Sequence, residues 1–476
     1  MTALAPQRFL PSFQVVFVVL MLFGLIAWNV TSYYLIVVPA LLPTYFWIRA
    51  GAPGLPSLSI LAALAIIYYA IPILRWSVPS DDPKVIVTAA LTIASFLFSA
   101  ALVYRLFLPA AERRAGRHQI SGLENRGALK LAAVGIVGGL LYFVCLFAGW
   151  LGTVGTYTGL IRAVAYTFAA IGCYIVGSAR GVGTLKGVEW VLALIGLISL
   201  SAFGVAGLLL FGGVLNAFAF VLGYIVAARR IPWLLLAAIF IVISILQAGK
   251  FDMRDKYWDP NEVSGTGLGD VPGRIIEWLA IGTNVLLHGR EETDVLERAT
   301  LLQAVVLVQQ ETPQVVPFLE GETYALLPSM LMPRFIDSEK IVSQAGLNLL
   351  SVRYGLQTVE ATETTTIAWG LIAEAWANFG FIAVPVVGAL LGLLCGAITL
   401  VSSGVPLISV RMFTAIAAMA ALLDVEADLS YILVTMFQSV GVVFLVGGSF
   451  AIVRRMLGHA PRVSDRAVIS VGRPAG

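Results

Sequence analysis

The feature that most constrains this chain is the recurrence of apolar stretches about as long as a bilayer is thick. Crossing the hydrocarbon core takes about 20 consecutive apolar residues in a helix. Twelve such runs are legible, at roughly 10–28, 31–48, 57–73, 84–108, 129–150, 157–178, 188–202, 205–228, 231–248, 379–402, 410–424 and 431–453. Apolar residues make up 59% of the 476, and charged residues only 12%, about half the share of a soluble domain. A chain of this composition cannot cover itself with polar surface, so lipid must be its solvent over most of its area. The expected fold is therefore all-α and polytopic, with about 12 transmembrane helices.

Charge placement gives the expected orientation. Arg49, the group Arg113, Arg114, Arg117, Arg126 and Lys130, then Arg180, Lys186, Arg229, Arg230, Arg411, Arg454 and Arg455 all fall on one side if both termini are cytoplasmic, as the excess of Lys and Arg in cytoplasmic loops requires. Loops on the other side are short and nearly uncharged, or acidic (Asp424, Glu426, Asp428). The exception holds Arg75 and Lys84 beside Asp81 and Asp82. Arg8 precedes the first run, which reads as a retained helix.

The polar stretch 249–365 then lies outside the cytoplasm. It carries 26 of the 57 charged residues with a net charge of −8, leaving +11 on the remainder. It is one large, partly helical extracytoplasmic loop. Ile275, Ile276, Leu279 and Leu286 recur at helical spacing, as do Val295, Leu296, Ala299, Leu302 and Val306 after a capping-box-like Asp294 and Glu297. These patterns predict short helices on the membrane surface. Trp369 and Trp376 read as interfacial anchors. The domain layout expected is nine spans over 1–248, the loop over 249–365, three spans over 366–456 and a cytoplasmic tail over 457–476.

Soluble-enzyme motifs are missing. No phosphate-binding glycine loop, zinc-protease helix or nucleophile elbow occurs, and three histidines leave no material for a histidine metal cluster. No metal and no cofactor are expected. Cys145, Cys173 and Cys395 sit in apolar runs without ligand spacing, as small buried residues do. The slightly basic total implies no nucleic-acid partner. Span centres carry almost no ionisable groups, which disfavours a coupled carrier.

The chemistry-bearing residues cluster around the large loop. Lys250, Arg254 and Lys256 follow the ninth run; Arg298 lies on a striped helix; Arg334 and Lys340 flank Phe335-Ile336-Asp337. Guanidinium groups at a membrane surface suit a phosphate or diphosphate headgroup, which they bind bidentately; each is otherwise a solvated charge or lipid anchor. Glu374 and Asn378, four apart, share a helix face, where the carboxylate suits a general base or sugar ligand or is half of a helix-end surface pair. Glu320 and Glu322 are alternative bases, and His288 and Asn348 weaker candidates.

The segment from Arg298 to Gly380 resembles the bacterial O-antigen polymerase (Wzy-like) proteins, in the oligosaccharide repeat-unit polymerase branch. The resembling elements are Arg298-Ala-Thr-Leu-Leu302, Thr312-Pro313, Pro317-Phe-Leu-Glu-Gly-Glu-Thr-Tyr324, Pro333-Arg334-Phe335, Lys340, and Gly370-Leu-Ile-Ala-Glu374 running into Asn378-Phe379-Gly380. The stretch Ile336-Asp337-Ser338-Glu339 before Lys340 departs from the family pattern, which places an aromatic or proline near that lysine. The resemblance implies an integral-membrane glycosyltransferase that joins undecaprenyl-diphosphate-linked oligosaccharide repeat units on the outer face of the bacterial cytoplasmic membrane, with a chain-length regulator as an additional partner. It implies Arg334 and Glu374 in the catalytic role, and Arg254, Arg298, Lys340, Glu320 and Asn378 in substrate binding. The rival readings are an O-antigen ligase, a lipid-linked oligosaccharide flippase or transporter, and a non-catalytic scaffold.

Overall fold

The computed structural model describes residues 5–75, 77–115, 126–151, 157–208, 210–257, 267–289, 301–332, 341–363 and 365–456. All regular structure among them is helical. The first nine helices are α1 (Ala5–Gly24), α2 (Val30–Arg49), α3 (Ser57–Leu74, with a π-helical turn at Ile66–Ala70), α4 (Pro83–Ala115), α5 (Arg126–Phe147), α6 (Thr158–Val182), α7 (Gly187–Ala206), α8 (Leu210–Ala228) and α9 (Trp233–Tyr257). The polar stretch contributes α10 (Val271–His288), α11 (Leu301–Glu311), the short α12 (Glu322–Ala325) and α13 (Leu327–Leu331), and α14 (Ala345–Arg353). The chain then forms α15 (Gly370–Phe379), α16 (Ala383–Ser402), α17 (Val410–Leu422) and α18 (Leu429–Met456).

Each of the twelve apolar runs falls on a helix. Among the described residues, nine helical segments are long and apolar enough to cross a bilayer: α2 to α7, α9, α15 with α16, and α18. Three more, in α1, α8 and α17, are apolar but shorter. Large apolar side chains stand fully outward on this surface, as Leu106, Val188 and Leu234 do. Outside a bilayer such a surface has no favourable solvent, and the chain is a membrane protein whose described residues are all-helical.

Small residues set the packing. α4 and α16 lie closely side by side, with Gly388 against the Phe96 carbonyl and Gly392 against the Ala100 carbonyl. Gly177 and Gly223 play the same part between α6 and α8. Without a hydrophobic force between helices in lipid, close backbone approach of this kind supplies the van der Waals contact.

Hydrogen bonds define the two ends of the bundle. At one end the Leu55 amide donates to Ser402 Oγ (2.9 Å) and Arg229 donates to the Ala52 carbonyl (2.7 Å). At the other, the Trp28 amide donates to Ile73 (3.1 Å), and the Trp369 and Gly370 amides both donate to Glu426 (3.1 Å each). The last turns of α3, α9 and α17 and the first turns of α6, α15 and α18 share this second end.

Three features of the polar stretch differ from the sequence expectation. α9 continues past residue 248 to Tyr257, so Lys250 and Arg254 are helical. α10 lies along α9 rather than across a surface: Gly249 and Gly282 meet backbone to backbone, Trp278 donates from Nε1 to Leu246 (2.6 Å), and Glu277 pairs with Lys256 and Tyr257. Two glycines at the crossing are what permit this approach. α11 buries Leu301, Leu302, Val305, Val306 and Val308 in the main core, and Gln309 donates to Thr92 of α4 (2.7 Å). Trp369 is wholly buried, its ring tilted against Tyr354, and its Nε1 donates to Ser351 Oγ (2.9 Å). A hydrogen-bond partner inside the protein takes the place of the interface water that a Trp anchor uses.

Candidate functional site

Two polar constellations occupy the second end of the bundle. The first is built around Glu374 and Asn378, whose spacing of four puts both on the buried face of α15. Neither is exposed at all. Glu374 accepts from Thr323 Oγ1 at Oε1 (2.8 Å) and from the Leu429 amide at Oε2 (2.8 Å). Asn378 donates from Nδ2 to Thr323 Oγ1 (2.9 Å) and to the Glu374 carbonyl (2.8 Å), and its Oδ1 accepts from the Gly321 amide (3.0 Å). The Leu319 and Glu320 amides donate to Ala377 and Asn378 carbonyls (3.0 and 3.1 Å). Glu320 and Gly321 both take positive φ here, 48° and 92°. Such a conformation is unstrained for glycine and costly for glutamate; the turn it makes aims three consecutive amides at α15.

Asp428 closes this constellation. It is buried, accepts from the Tyr431 amide at Oδ1 (2.7 Å), and is an electrostatic neighbour of Glu374. Burial holds its carboxyl above the usual range, while the backbone amides of Tyr431, Leu347 and Ser430 favour its charged form. Tyr324, packed against Phe379, has its hydroxyl pushed up by burial, then by Glu374 and Asp428. Glu374 and Asn378 therefore tie three segments together: the 319–323 turn, α15 and the start of α18. Both carboxylate oxygens of Glu374 are occupied, and no solvent reaches them. Thr323→Val removes a donor to Glu374 and an acceptor for Asn378, each buried. Leaving buried polar groups unsatisfied costs about 1–3 kcal/mol apiece, so this variant is expected to melt well below wild type in detergent, with Thr323→Ser restoring the loss.

The second constellation joins charge to an apolar cleft. The cleft, about 50 Å³, lies between α3, α4, α15, α16, α17 and α18, lined by Leu58, Leu61, Ala62, Ala65, Phe96, Leu97, Leu371, Ile372, Leu422 and Ile432 among others. Tyr68 and Val425 belong to its wall. Tyr68 sits in the π-helical turn of α3, a local widening common at functional sites. Its hydroxyl approaches the Glu426 carboxylate. Glu426 in turn faces Lys250 and Arg254, both half-buried on the last turns of α9. Arg254 also donates to the Leu208 carbonyl (3.3 Å).

Asp424 lies in the same connection, just beyond the end of α17 at Leu422. It is half-buried, and burial, then Glu426, then Asp428, push its carboxyl up to about 7. Tyr68 and Tyr431 face it, and Arg162 at the start of α6 faces Tyr431. An amphiphile fits this arrangement chemically, with hydrocarbon in the cleft and an anionic headgroup on the two cations.

The sequence candidates divide accordingly. Glu374 and Asn378 are brought together, and Glu320 meets them through its backbone with its side chain exposed. Arg254 belongs to the second constellation. Glu322 forms an exposed pair with Arg353 (2.7 Å). His288 is exposed and bonds its own helix through Asn284. Arg298, Arg334 and Lys340 lie outside the described residues. Among the described residues no group of three or more His, Cys, Asp and Glu side chains has metal-holding geometry. Sequence reasoning read Asp424 and Glu426 only as markers of orientation and did not single out Tyr68. The density of acid in an otherwise uncharged membrane connection was the available signal. Comparison of the chain with family models, with curated proteins and with solved structures finds no match.

Proposed function

We propose that this protein is a glycosyltransferase that polymerises undecaprenyl-diphosphate-linked oligosaccharide repeat units on the outer face of the bacterial cytoplasmic membrane. The observation that supports this reading is the junction at Tyr68 and Val425 of an apolar cleft with the Glu426, Lys250 and Arg254 cluster. A polyprenyl diphosphate has this same division between hydrocarbon and anion. The resemblance over 298–380 supplies the reaction class.

In this reading the donor's hydrocarbon enters the cleft, and its diphosphate exchanges with Glu426 on Lys250 and Arg254. Cations already held at that position stabilise negative charge as the diphosphate departs. The resemblance implies Arg298, Arg334 and Lys340 as further phosphate-binding cations. Glu374 and Asn378 hold the 319–323 turn against α15 and so shape the floor beneath the acceptor sugar.

The test is glycan analysis in the native host. Deleting the gene, or substituting Arg334→Ala, is expected to leave single-repeat lipid-linked units accumulating while long polymer disappears. Long polymer retained on its carrier but never delivered to a final acceptor identifies a ligase instead. Repeat units trapped on the cytoplasmic leaflet identify a flippase. Unchanged pools in the deletion strain remove glycan assembly from consideration.

A further inference from the structure

Two exposed arginines at the first end of the bundle lie on rings rather than on carboxylates. Arg49 closes α2, and Arg105 stands well inside α4. Among the described residues neither forms a salt bridge. Arg49 Cζ is 5.7 Å from the ring centroid of Tyr45, and Arg105 Cζ reaches across from α4 to within 5.1 Å of the Phe46 centroid. The two rings are 5.9 Å apart, and Phe46 and Arg49, three residues apart, share a face of α2. The contact with Phe46 therefore brings the guanidinium of α4 onto the same patch as that of α2. We propose that this patch binds an anionic phospholipid of the surrounding leaflet, with the lipid phosphate held between Arg49 and Arg105. The site lies at the opposite end of the bundle from the polar constellations and is independent of the reaction proposed above.

Arg105 is the residue that demands a ligand. Leu102 and Leu106 stand on the same side of α4 and point outward, Leu106 with 75% of its surface exposed, so hydrocarbon is their solvent. A guanidinium among lipid-facing leucines is costly until something satisfies it. Phe46 takes its flat face, which leaves the N–H edges to donate. Those edges match a phosphate bidentately. The depth agrees: α4 has 33 residues, about 50 Å of helix against about 30 Å of hydrocarbon. Arg105, level with the end of α2, falls at the headgroups while the last turns of α4 project beyond them. The helix dipole accounts for a cation at Arg49, in the last turn of α2, but not for one inside α4. A phospholipid supplies both needs in one molecule, acyl chains over Leu102 and Leu106 and an anion for the arginines. A zwitterionic headgroup brings its own cation to the patch, whereas an anionic one brings only the charge the arginines attract.

The experiment titrates purified full-length protein in neutral detergent with phosphatidylglycerol, phosphatidylcholine or inorganic phosphate, reading lipid binding by native mass spectrometry and stability by thermal melting. Wild type is expected to bind phosphatidylglycerol about tenfold or more tighter than phosphatidylcholine, since one charge-assisted contact is worth about that much, and to melt higher with it. The double variant Arg49→Gln, Arg105→Gln is expected to lose this preference while melting as wild type does in phosphatidylcholine. Arg105→Lys keeps the charge without the flat stack and fork, and recovers part of the preference. The control Arg113→Gln, Arg230→Gln removes the same charge from exposed positions at the same end and keeps the preference in full. Equal binding of the two lipids by wild type overturns the proposal. Equal loss in the control overturns it in favour of diffuse charge attraction. Inorganic phosphate that raises the melting temperature as much as phosphatidylglycerol does makes the patch a plain anion site and overturns the lipid assignment. A melting loss in the Arg49, Arg105 variant that is the same in both lipids overturns it in favour of a structural role.

Discussion

Substituting Lys250→Ala and Arg254→Ala together is expected to abolish polymer formation in the native host and to lower turnover of the purified protein by about 100-fold or more, given about 1.5–3 kcal/mol for each hydrogen bond to a charged group. The two side chains share the last turns of α9 and face one carboxylate, Glu426. Losing one leaves the other to hold the anion, so each single variant is expected to be milder than half the double in free-energy terms. Removing both also leaves Glu426 partly buried without a counter-charge, and its repulsion adds to the loss. The check is binding of undecaprenyl diphosphate together with turnover, measured for both singles and the double. Lys250→Arg keeps the charge and is expected to retain most activity. A double variant with normal turnover would remove the diphosphate from this end of α9.

The second large effect comes from filling the cleft. Ala62 lines it from α3 and is buried, so Ala62→Phe puts a ring where the donor's hydrocarbon is to lie. In a packed core such an insertion costs about 1–3 kcal/mol; into a void it replaces absent contacts with real ones. The expected outcome is a protein that melts at or above the wild-type temperature yet fails to bind undecaprenyl diphosphate and makes no polymer. Stability and function moving in opposite directions is the signature that a general folding defect does not produce. A variant that melts normally and polymerises normally would show that the hydrocarbon lies elsewhere.

The helices were legible because lipid imposes one strict requirement on a chain, a continuous apolar stretch with every backbone group bonded internally. That is why each of the twelve runs coincides with a helix. The ends were less legible. α9 outlasts its apolar run because Lys250 and Arg254 carry long aliphatic stems that lie along a helix while their charges reach outward. The α10 stripe was visible as a period, but its direction was set by Gly249 meeting Gly282, a tertiary contact no window of sequence contains. The site shows the same divide. Glu374 and Asn378 were visible as a pair because a helix relates them. Their partners Thr323 and Leu429 come from segments far along the chain on either side. Asp424 and Glu426 acquire meaning only once α9 and α3 stand next to them.

The contacts that make the site also set the moment in synthesis at which it comes into being. The cleft has α3 and α4 on one side and α15, α17 and α18 on the other, and the last of these leave the ribosome hundreds of residues after the first. Until they arrive, the inner faces of α3 and α4 have only lipid to cover them, Lys250 and Arg254 lack Glu426, and the Thr323 turn has nothing to close on. Each of these is a long-range pairing whose closure must await the chain's end. A nascent protein halted at the large loop is therefore not a smaller version of the folded one. It is an inserted half-bundle with an open apolar wall and uncompensated charge, which is the kind of surface that membrane proteases and chaperones recognise.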